Sequence, residues 1–423
     1  MYNLTEISKH YKPSYIKNYD NFDPSKDTVL YSGPYWNHLE LEAILDSVLN
    51  GTWIVSGDKV LEFQDAFAKT FNVGYSHMVN SGSSANLVMI TALKKHFNWE
   101  DGSEIIVSPV GFPTTIAPIV QNNLVPKFID IEFDTLNFDV SLIEYAITNK
   151  TKAIFVSPVL GNPPDMDYIK ALCDKHNLLL IGDNCDSLGT KFNGKHLSEY
   201  YFSWSCSFYP AHHISTGEGG MVSSNDKLFI DMIRSFSWWG RDCYCVGANN
   251  LLSCGTCGKR FDYWLEGYDK VIDHKYIYSN IGYNLKPLDL QGAVGIVQLT
   301  KLNEIDVKRR YHKNLIEQYL VDQVGITPVK TLANADPSWF GIPIICKDSD
   351  EKEFLVSHFE GNRIQTRNYF GGNILLHPAY KHLDDYKKYP NANLALDRVF
   401  FIGCTPLYNE KVLEYIIDVI KKW

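Results

Sequence analysis

Residues 205–220 read SCSFYPAHHISTGEGG, and this is the most specific stretch of the chain. An apolar run, Phe202–Phe208, is typical of a buried strand and leads through Pro210 to two adjacent histidines. Gly219 and Gly220 follow, and a further strand is predicted at Gly220–Ser223. The stretch therefore predicts two strands that are joined by a turn carrying His212 and His213.

The sequence around this stretch alternates between short apolar strands and amphipathic helices. Strands are predicted at 104–107, 126–129, 153–156, 178–181, 202–208 and 220–223, and helices at 36–49, 59–71, 83–97, 141–149, 167–176, 226–236, 291–318 and 409–422. Such alternation is typical of a mostly parallel sheet with helices on both faces. We therefore expect an α/β protein with a large domain at 1–290 and a smaller C-terminal α/β domain at 291–423.

The composition argues against several classes of function. The net charge of the 423 residues is −9, and no block of like charge suggests nucleic acid or an anionic membrane as a partner. No apolar run is long enough to span a bilayer, and the first 20 residues lack the apolar core of a signal peptide. We therefore expect a soluble, cytoplasmic protein.

Two polar segments suggest a site for a phosphate-bearing ligand. Ser83 and Ser84 stand at the start of a predicted helix, where backbone N–H groups and hydroxyls can bind a phosphate. A serine-rich helix cap without a ligand would give the same pattern. Asp183 follows the apolar run 178–181, and a carboxylate there is costly unless it has a partner. A protonated pyridine nitrogen, as in pyridoxal phosphate (PLP), would be such a partner.

Phe112 lies in the segment Gly111–Thr115, just after a predicted strand. Ligands of open α/β sheets bind at the C-terminal ends of the strands, and an aromatic ring there can stack on a planar ligand. A core phenylalanine is the alternative interpretation.

These segments, in this order, resemble the DegT/DnrJ/EryC1/StrS family of sugar-nucleotide aminotransferases. The resemblance covers nearly the whole chain and includes Gly282–Lys286, Ile364–Arg367 and His377–Tyr380. It implies the type I fold of PLP-dependent aspartate aminotransferases, with a large mixed-sheet domain and a smaller C-terminal α/β domain. It also implies cofactor contacts: Ser83, Ser84 and Ser207 on the phosphate, Phe112 on the pyridine ring, Asp183 on the ring nitrogen, and Asn284 on the phosphate of the neighbouring subunit. The protein should then be a homodimer.

The chain departs from the family pattern at one position. Family members carry a lysine after Ser-Phe-x-x-x, and this lysine holds PLP covalently, but here Ser207–Ala211 is followed by His212. Imidazole forms no stable imine with PLP, so the cofactor should be held without a covalent bond, as pyridoxamine 5′-phosphate (PMP). Histidine is a good general base near neutral pH. We therefore expect His212 to remove a proton from the cofactor's C4′, so that a keto-sugar loses its 3-hydroxyl instead of gaining an amine.

Four of the nine cysteines lie close together at Cys243, Cys245, Cys254 and Cys257, within a long predicted loop at 243–278. Thiolates in such numbers suit a [2Fe–2S] cluster or a structural zinc. The pattern resembles the CDP-4-keto-6-deoxyglucose 3-dehydrases of the same family. That resemblance implies Cys185, Cys243, Cys245 and Cys257 as ligands of a [2Fe–2S] cluster, with Cys254 as a rival for the last place.

The same resemblance implies the pathway and the partners. The substrate would be a nucleotide-linked, CDP-bearing 4-keto-6-deoxyhexose, and the product would serve 3,6-dideoxysugar synthesis for the lipopolysaccharide O-antigen. Electrons would come from an NADH-dependent flavin and iron–sulfur reductase. Three alternatives stay open: a cluster-free PMP-dependent 3-dehydratase that uses glutamate, a sugar aminotransferase with a displaced lysine, and a non-catalytic scaffold stabilised by zinc.

Overall fold

The computed structural model describes residues 4–10, 19–243, 245, 258–262, 265–323 and 325–423. Its helices are α1 Leu4–His10, α2 His38–Asn50, α3 Asp58–Thr70, α4 Gly82–His96, α5 Pro113–Gln121, α6 Val140–Ala146, α7 Met166–His176, α8 Lys227–Ser237, α9 Asp289–Leu320, α10 Ser349–Gly361, α11 Pro390–Arg398 and α12 Glu410–Lys421. Its strands are β1 Tyr75–Val79, β2 Glu104–Val107, β3 Val125–Phe128, β4 Ile131–Glu132, β5 Asn137–Phe138, β6 Thr151–Val156, β7 Leu179–Asp183, β8 Lys191–Phe192, β9 Lys195–His196, β10 Ser203–Ser207, β11 Gly220–Ser224, β12 Ile326–Thr327, β13 Ala335–Asp336, β14 Gly341–Cys346, β15 Thr366–Asn368 and β16 Val399–Gly403.

A seven-stranded sheet in the order β1-β11-β10-β7-β6-β2-β3 forms the centre of the protein. Strands β10, β7, β6, β2 and β3 run parallel, whereas β11 is antiparallel to both of its neighbours. Every residue of β10 and β11 is buried, which is typical of strands that are covered on both faces. The predicted α/β class with a mixed sheet is confirmed.

The C-terminal residues form a second layer around a four-stranded antiparallel sheet in the order β12-β14-β16-β15. Helix α9 leads from the large sheet towards this one over 32 residues, a length of about 48 Å. An N-terminal segment also packs here, since Val29 bridges to Ile364 and the hydroxyl of Tyr408 donates to the carbonyl of Leu30 at 2.7 Å. The boundary between 290 and 291 remains a prediction, and it falls at the start of α9.

The ends of four elements meet at one edge of the large sheet. Strand β7 ends at Asp183 and β10 ends at Ser207, so the carboxyl ends of two parallel neighbours lie side by side. Helix α4 begins at Gly82 with Ser81 as its N-cap, and α5 begins at Pro113, where the fixed φ of proline suits the first helical position. This edge is therefore where an open α/β sheet binds its ligand.

Candidate active site

A cavity of about 460 Å³ opens at this edge of the sheet. Its walls come from the starts of α4 and α5, the turn after β10, and two phenylalanines of the C-terminal half. The predicted site residues that line it are Ser83, Phe112, Asp183, Cys185, Ser207 and His212. Among the described residues that line the cavity, none is a lysine. The fold thus gathers four of the six predicted cofactor-binding residues, together with His212, around one cavity.

The start of α4 forms the wall of the cavity that suits a phosphate. Ser81, Gly82 and Ser83 line it together with Ser207. Ser84 does not line it; its backbone N–H donates to the Ser81 hydroxyl at 3.1 Å, and its own hydroxyl accepts from Ser81 at 3.0 Å. The helix dipole makes this end of α4 attractive to anions. The predicted phosphate contacts of Ser83 and Ser207 fit this wall, and that of Ser84 stays a prediction.

Replacing Gly82 with alanine is expected to weaken PMP binding by ~10-fold or more, because overpacking of this kind costs 1–3 kcal/mol. A Cβ at this position would lie 2.4 Å from the Cβ of Ser207, so α4 and β10 would have to separate at the phosphate wall. The dissociation constant of PMP, measured by titration of the purified protein, checks this. Gly361→Ala is the control, since a Cβ there meets nothing within 4 Å. Equal affinity in both variants would contradict the phosphate assignment.

Asp183 is held at the floor of the cavity with 4 % of its surface exposed. Asn86 Nδ2 and Thr115 Oγ1 donate to its Oδ2 at 2.8 and 2.7 Å, and the backbone N–H of Cys185 donates to Oδ1 at 3.2 Å. Two neutral donors from α4 and α5 thus fix the carboxylate without neutralising its charge. An ionised carboxylate at this depth can hold a proton on the ring nitrogen of a bound pyridine.

Phe112 stands at the mouth of the cavity. It is the residue before the first turn of α5, and 53 % of its surface is exposed. Its ring meets Phe370 edge to face, with centroids 6.2 Å apart. The core-phenylalanine alternative is therefore wrong, and the exposed ring is available to stack on a planar ligand.

The two adjacent histidines have different surroundings. His212 lines the cavity, with 16 % of its side chain exposed, and its ring lies 5.2 Å from that of Phe340. His213 is 2 % exposed, does not line the cavity, and places Nε2 2.9 Å from the carbonyl of Ser338. Only the first histidine can therefore meet a ligand in the cavity.

The charge state of His212 is set by its burial. Burial, and to a lesser degree the guanidinium of Arg309, lowers the pKa of His212 to about 3, so the ring is neutral at physiological pH. Burial and the neighbouring charge of Asp183 raise the pKa of Asp186 to about 7. A neutral imidazole has a free lone pair, which is the form that a general base requires, but a ring with this lowered pKa is a weaker base than the histidine of ordinary pKa expected from the sequence.

Sequence reasoning missed several residues of the cavity, which are Tyr31, Asp186, Tyr209, Glu218, Phe340 and Phe370. Asp186 lies three residues after Asp183, so a second carboxylate beside a predicted ligand residue was a usable signal. Phe340 and Phe370 come from the C-terminal half, and no local pattern marks them. Their contact with the cavity depends on how the two halves of the chain pack.

The predicted cluster ligands are only partly described. Cys243 and Cys245 are buried and share a side-chain hydrogen bond, and burial is the main cause that raises the pKa of Cys243. Cys185 lies in the cavity, where burial and the charge of Asp183 raise its pKa well above the usual range. Cys254 and Cys257 lie outside the described residues.

Within the described part of the chain, no three His, Cys, Asp or Glu side chains are grouped closely enough to hold a metal ion. Cys243 and Cys245 are two of the four thiolates predicted for the cluster, and their role as ligands stays a prediction. Four further cysteines are buried, as predicted for apolar positions: Cys173, Cys206, Cys346 and Cys404.

A cluster of cations and indole rings lies outside the cavity wall. Arg241 and Lys286 both lie over the ring of Trp239, at 4.7 and 3.3 Å from its centroid. Burial, and then the charge of Arg241, lowers the pKa of Lys286 to about 8. The amine donates to Asn284 Oδ1 at 2.5 Å, and Asn284 is exposed. Asn284 does not line the cavity of its own chain, and its predicted contact with the phosphate of a neighbouring subunit stays a prediction.

The family resemblance is borne out by comparison with known proteins. Residues 37–421 match the model of the DegT/DnrJ/EryC1/StrS aminotransferase family. The dTDP-4-dehydro-2,6-dideoxy-D-glucose 3-dehydratase of Saccharopolyspora spinosa is 38% identical over 380 residues, which cover 88% of this chain and 81% of that protein. The lipopolysaccharide biosynthesis protein RfbH of Salmonella typhimurium is 37% identical over 407 residues, covering 93% and 91% of the two chains.

A solved structure agrees with the fold. The Escherichia coli GDP-4-keto-6-deoxy-D-mannose-3-dehydratase with bound hydrated PLP superposes with a TM-score of 0.81 at 30% identity, covering 93% of this chain and 99% of that one. The predicted type I fold is therefore confirmed. Among the described residues, no helix is long and apolar enough to cross a membrane.

Proposed function

The chain belongs to the DegT/DnrJ/EryC1/StrS aminotransferase family, and from that membership we propose that it removes the 3-hydroxyl of a nucleotide-linked 4-keto-6-deoxyhexose, with PMP and a [2Fe–2S] cluster as cofactors. The observation that carries the proposal is His212 in the cavity, where no described lining residue is a lysine. A cavity with the other cofactor residues in place but no amine suits a B6 cofactor that is bound without a covalent bond.

The residues of the cavity fit PMP at three points. Ser83 and Ser207, which line the cavity beside the start of α4, would bind the phosphate. Asp183 would keep the ring nitrogen protonated, and Phe112 would cover the ring. When bound, PMP supplies an amine that condenses with the 4-keto group and a ring that accepts electrons. The protein supplies the binding site, the orientation and the fixed charge of Asp183.

His212 moves the proton. With PMP bound, its neutral ring would accept the proton held at the cofactor's C4′ and would later return that proton to the departing 3-hydroxyl, which leaves as water. PMP would supply the electron sink for this elimination. His212 would thus serve as both base and acid. The proton taken from C4′ and the 3-hydroxyl together form the water, so no other reagent is needed.

The two-electron reduction that follows the loss of water is the role proposed for the cluster. Cys185, Cys243, Cys245 and Cys257 are its proposed ligands, with Cys254 as the rival for the last place. The adjacent buried thiols of Cys243 and Cys245 support this proposal. An NADH-dependent flavin and iron–sulfur reductase is the proposed electron donor, because one-electron carriers are needed to pass electrons through an iron–sulfur centre.

Replacing Cys243 with serine is expected to remove most of the iron and the brown colour from anaerobically purified protein, because a cluster needs all of its thiolate ligands. Visible absorption together with iron and sulfide content checks this. Cys346→Ser is the matched control, since that thiol is fully buried and is not a proposed ligand. A colourless protein that contains zinc, with no iron in the wild type, would favour the zinc-stabilised scaffold and contradict the cluster.

The nucleotide is proposed to be CDP, and the product is proposed to enter 3,6-dideoxysugar synthesis for the O-antigen. Arg241, Lys286 and Arg367 are the cations proposed to contact the diphosphate. The guanidinium of Arg367 lies 4.2 Å from the ring centroid of Tyr31, a cavity residue. Asn284 and its neighbouring cations would act in the cavity of a second copy of the chain, so a homodimer is part of the proposal.

One assay separates the proposed activity from its rivals. CDP-, dTDP- and GDP-linked 4-keto-6-deoxyhexoses are each incubated with the protein and PMP, and loss of the 3-hydroxyl is followed by mass spectrometry. Loss with the CDP sugar, and reduced product only when the reductase is present, is expected. Turnover of the GDP sugar with glutamate alone would favour the cluster-free enzyme, and a 4-amino product would favour an aminotransferase.

A further inference from the structure

The imidazole of His212 has one ring nitrogen directed at a carboxylate. Its Nδ1 is buried and makes no hydrogen bond with the described residues, and Asp186 Oδ1 lies 3.7 Å away. That distance exceeds the 2.7–3.2 Å of an N–H···O hydrogen bond by about half an ångström. Catalytic hydrogen bonds are often long in the free enzyme and shorten when the ligand is bound. The pair is therefore placed to form a hydrogen bond after a small movement.

The backbone holds this carboxylate at the cost of an unfavourable conformation. The N–H of Leu160 donates to Asp186 Oδ2 at 3.3 Å, and Leu160 has a φ of 55°, which leucine rarely adopts. Gly161 follows with a φ of 97°, and a Cβ there would lie 2.3 Å from the carbonyl of Ser338. Strained residues of this kind persist near functional sites because the surroundings fix them. The turn at 159–161 thus orients one oxygen of Asp186 and leaves the other to face His212.

The rest of His212 is held by α9. Arg309 is buried, and its Nη2 donates to the carbonyl of His212 at 3.4 Å. Its Nη1 donates to the carbonyls of Trp339 and Phe340 at 3.1 and 3.0 Å, and the ring of Phe340 packs on the imidazole. The backbone and one face of the ring are therefore fixed. The imidazole also has the backbone of Cys185 as a hydrogen-bonding neighbour, so the tautomer depends on whether Nδ1 bonds to Asp186.

We propose that Asp186 is the positioning partner of His212: it accepts a hydrogen bond from Nδ1–H and so leaves the lone pair of Nε2 free to take the proton from the cofactor. The carboxylate also stabilises the positive ring that forms when Nε2 is protonated. This inference rests on the proposed function, because it takes His212 to be the base. The role is one of orientation, since Asp186 acts on the reaction through the imidazole.

Asp186→Asn tests the pair with little change in shape, since the amide oxygen can still accept from Leu160. The amide nitrogen would donate to Nδ1, so the proton would move to Nε2 and the base would be lost. Asp306→Asn is the matched control, because Asp306 is equally buried, at 12 % side-chain exposure against 14 %, and hydrogen-bonds to Ser338 rather than to His212. The readouts are the ¹⁵N resonances of His212, assigned by their loss in His212→Gln, and the split between kcat and KM.

The first expected result is the tautomer of His212, read from its ¹⁵N resonances. At a pH well above 7, where Asp186 with its raised pKa of about 7 is ionised, Nδ1 is protonated and Nε2 is not in the PMP-bound wild type and in Asp306→Asn, whereas Asp186→Asn shows the reverse. With the substrate that the wild type uses, kcat of Asp186→Asn falls roughly 100-fold, while KM changes by less than about threefold. A wild-type tautomer in Asp186→Asn overturns the inference.

The two proposals can fail separately. The tautomer is measured without any sugar, so it reports on the pair of side chains whichever substrate the enzyme uses. If no nucleotide sugar loses its 3-hydroxyl, the proposed function fails and the resonances still decide whether Asp186 orients His212. If dehydration is found but kcat of Asp186→Asn stays within threefold of the wild type, the positioning role fails and the proposed function remains.

Discussion

Replacing His212 with lysine is expected to reduce the rate of 3-dehydration by roughly 10²- to 10⁴-fold, the range that a positioned acid–base group contributes. The new amine would stand inside the cavity, beside the proposed positions of the phosphate and the ring, and would form a covalent imine with PLP. The cofactor would then rest on the chain instead of acting as a free amine. Some amino transfer to the keto-sugar is expected to accompany the loss of dehydration.

Two measurements check this substitution. Borohydride reduction followed by peptide mass spectrometry should find a pyridoxyl group on residue 212, and the rate of 3-hydroxyl loss should fall in the same protein. His212→Gln is the control, because it removes the base without adding an amine. That variant should lose dehydration and hold no covalent cofactor. An unchanged dehydration rate in His212→Lys would remove His212 from the mechanism.

The fold was predictable where hydrophobic patterns are local, and two elements show where such patterns fail. Strand β1 was missed because its polar residues Ser76 and His77 are buried. Their hydroxyl and ring nitrogen bond to Ser223 and Ser237 at 2.7 and 2.9 Å, partners about 150 positions away in the sequence. Helix α5 was missed because it contains Pro118, which usually interrupts a helix. Both elements depend on tertiary contacts that no sequence window contains.

The site was predictable to the extent that its residues lie in short motifs. Ser83, Phe112, Asp183, Ser207 and His212 were found in this way, and the structure places all of them on one cavity. Arg309 and Phe340, which surround the imidazole, were not found, since they come from other parts of the chain. Asp186 was overlooked although it lies three residues after Asp183. A motif identifies the group that reacts, whereas the residues that orient it are defined by packing.

Replacing Asp183 with asparagine is the second substitution for which we expect a large loss of activity, because it removes the charge of this side chain. Asp183→Asn keeps the shape of the side chain but removes the charge that holds a proton on the ring nitrogen of the cofactor. An unprotonated ring is a poor electron sink, so the step in which His212 takes the proton from C4′ should slow. The amide would also have to present its oxygen to both Asn86 and Thr115, because each donates to the present Oδ2. That orientation directs the amide nitrogen towards the backbone N–H of Cys185, where two donors would face each other.

A fall in kcat of about 100-fold or more is expected for Asp183→Asn, the scale on which the loss of one preorganised charged contact acts in a buried site. The decisive measurement uses PMP that is methylated on the ring nitrogen, since its positive charge is permanent and needs no carboxylate to hold a proton. This analogue should restore much of the activity of Asp183→Asn, because that variant lacks only the positive charge on the ring. It should give little benefit to His212→Gln, because that variant lacks the base. If Asp183→Asn turned over unmodified PMP at the wild-type rate, the buried carboxylate would have no electronic role, and the hydrogen bonds from α4 and α5 would serve only to join the two helices to β7.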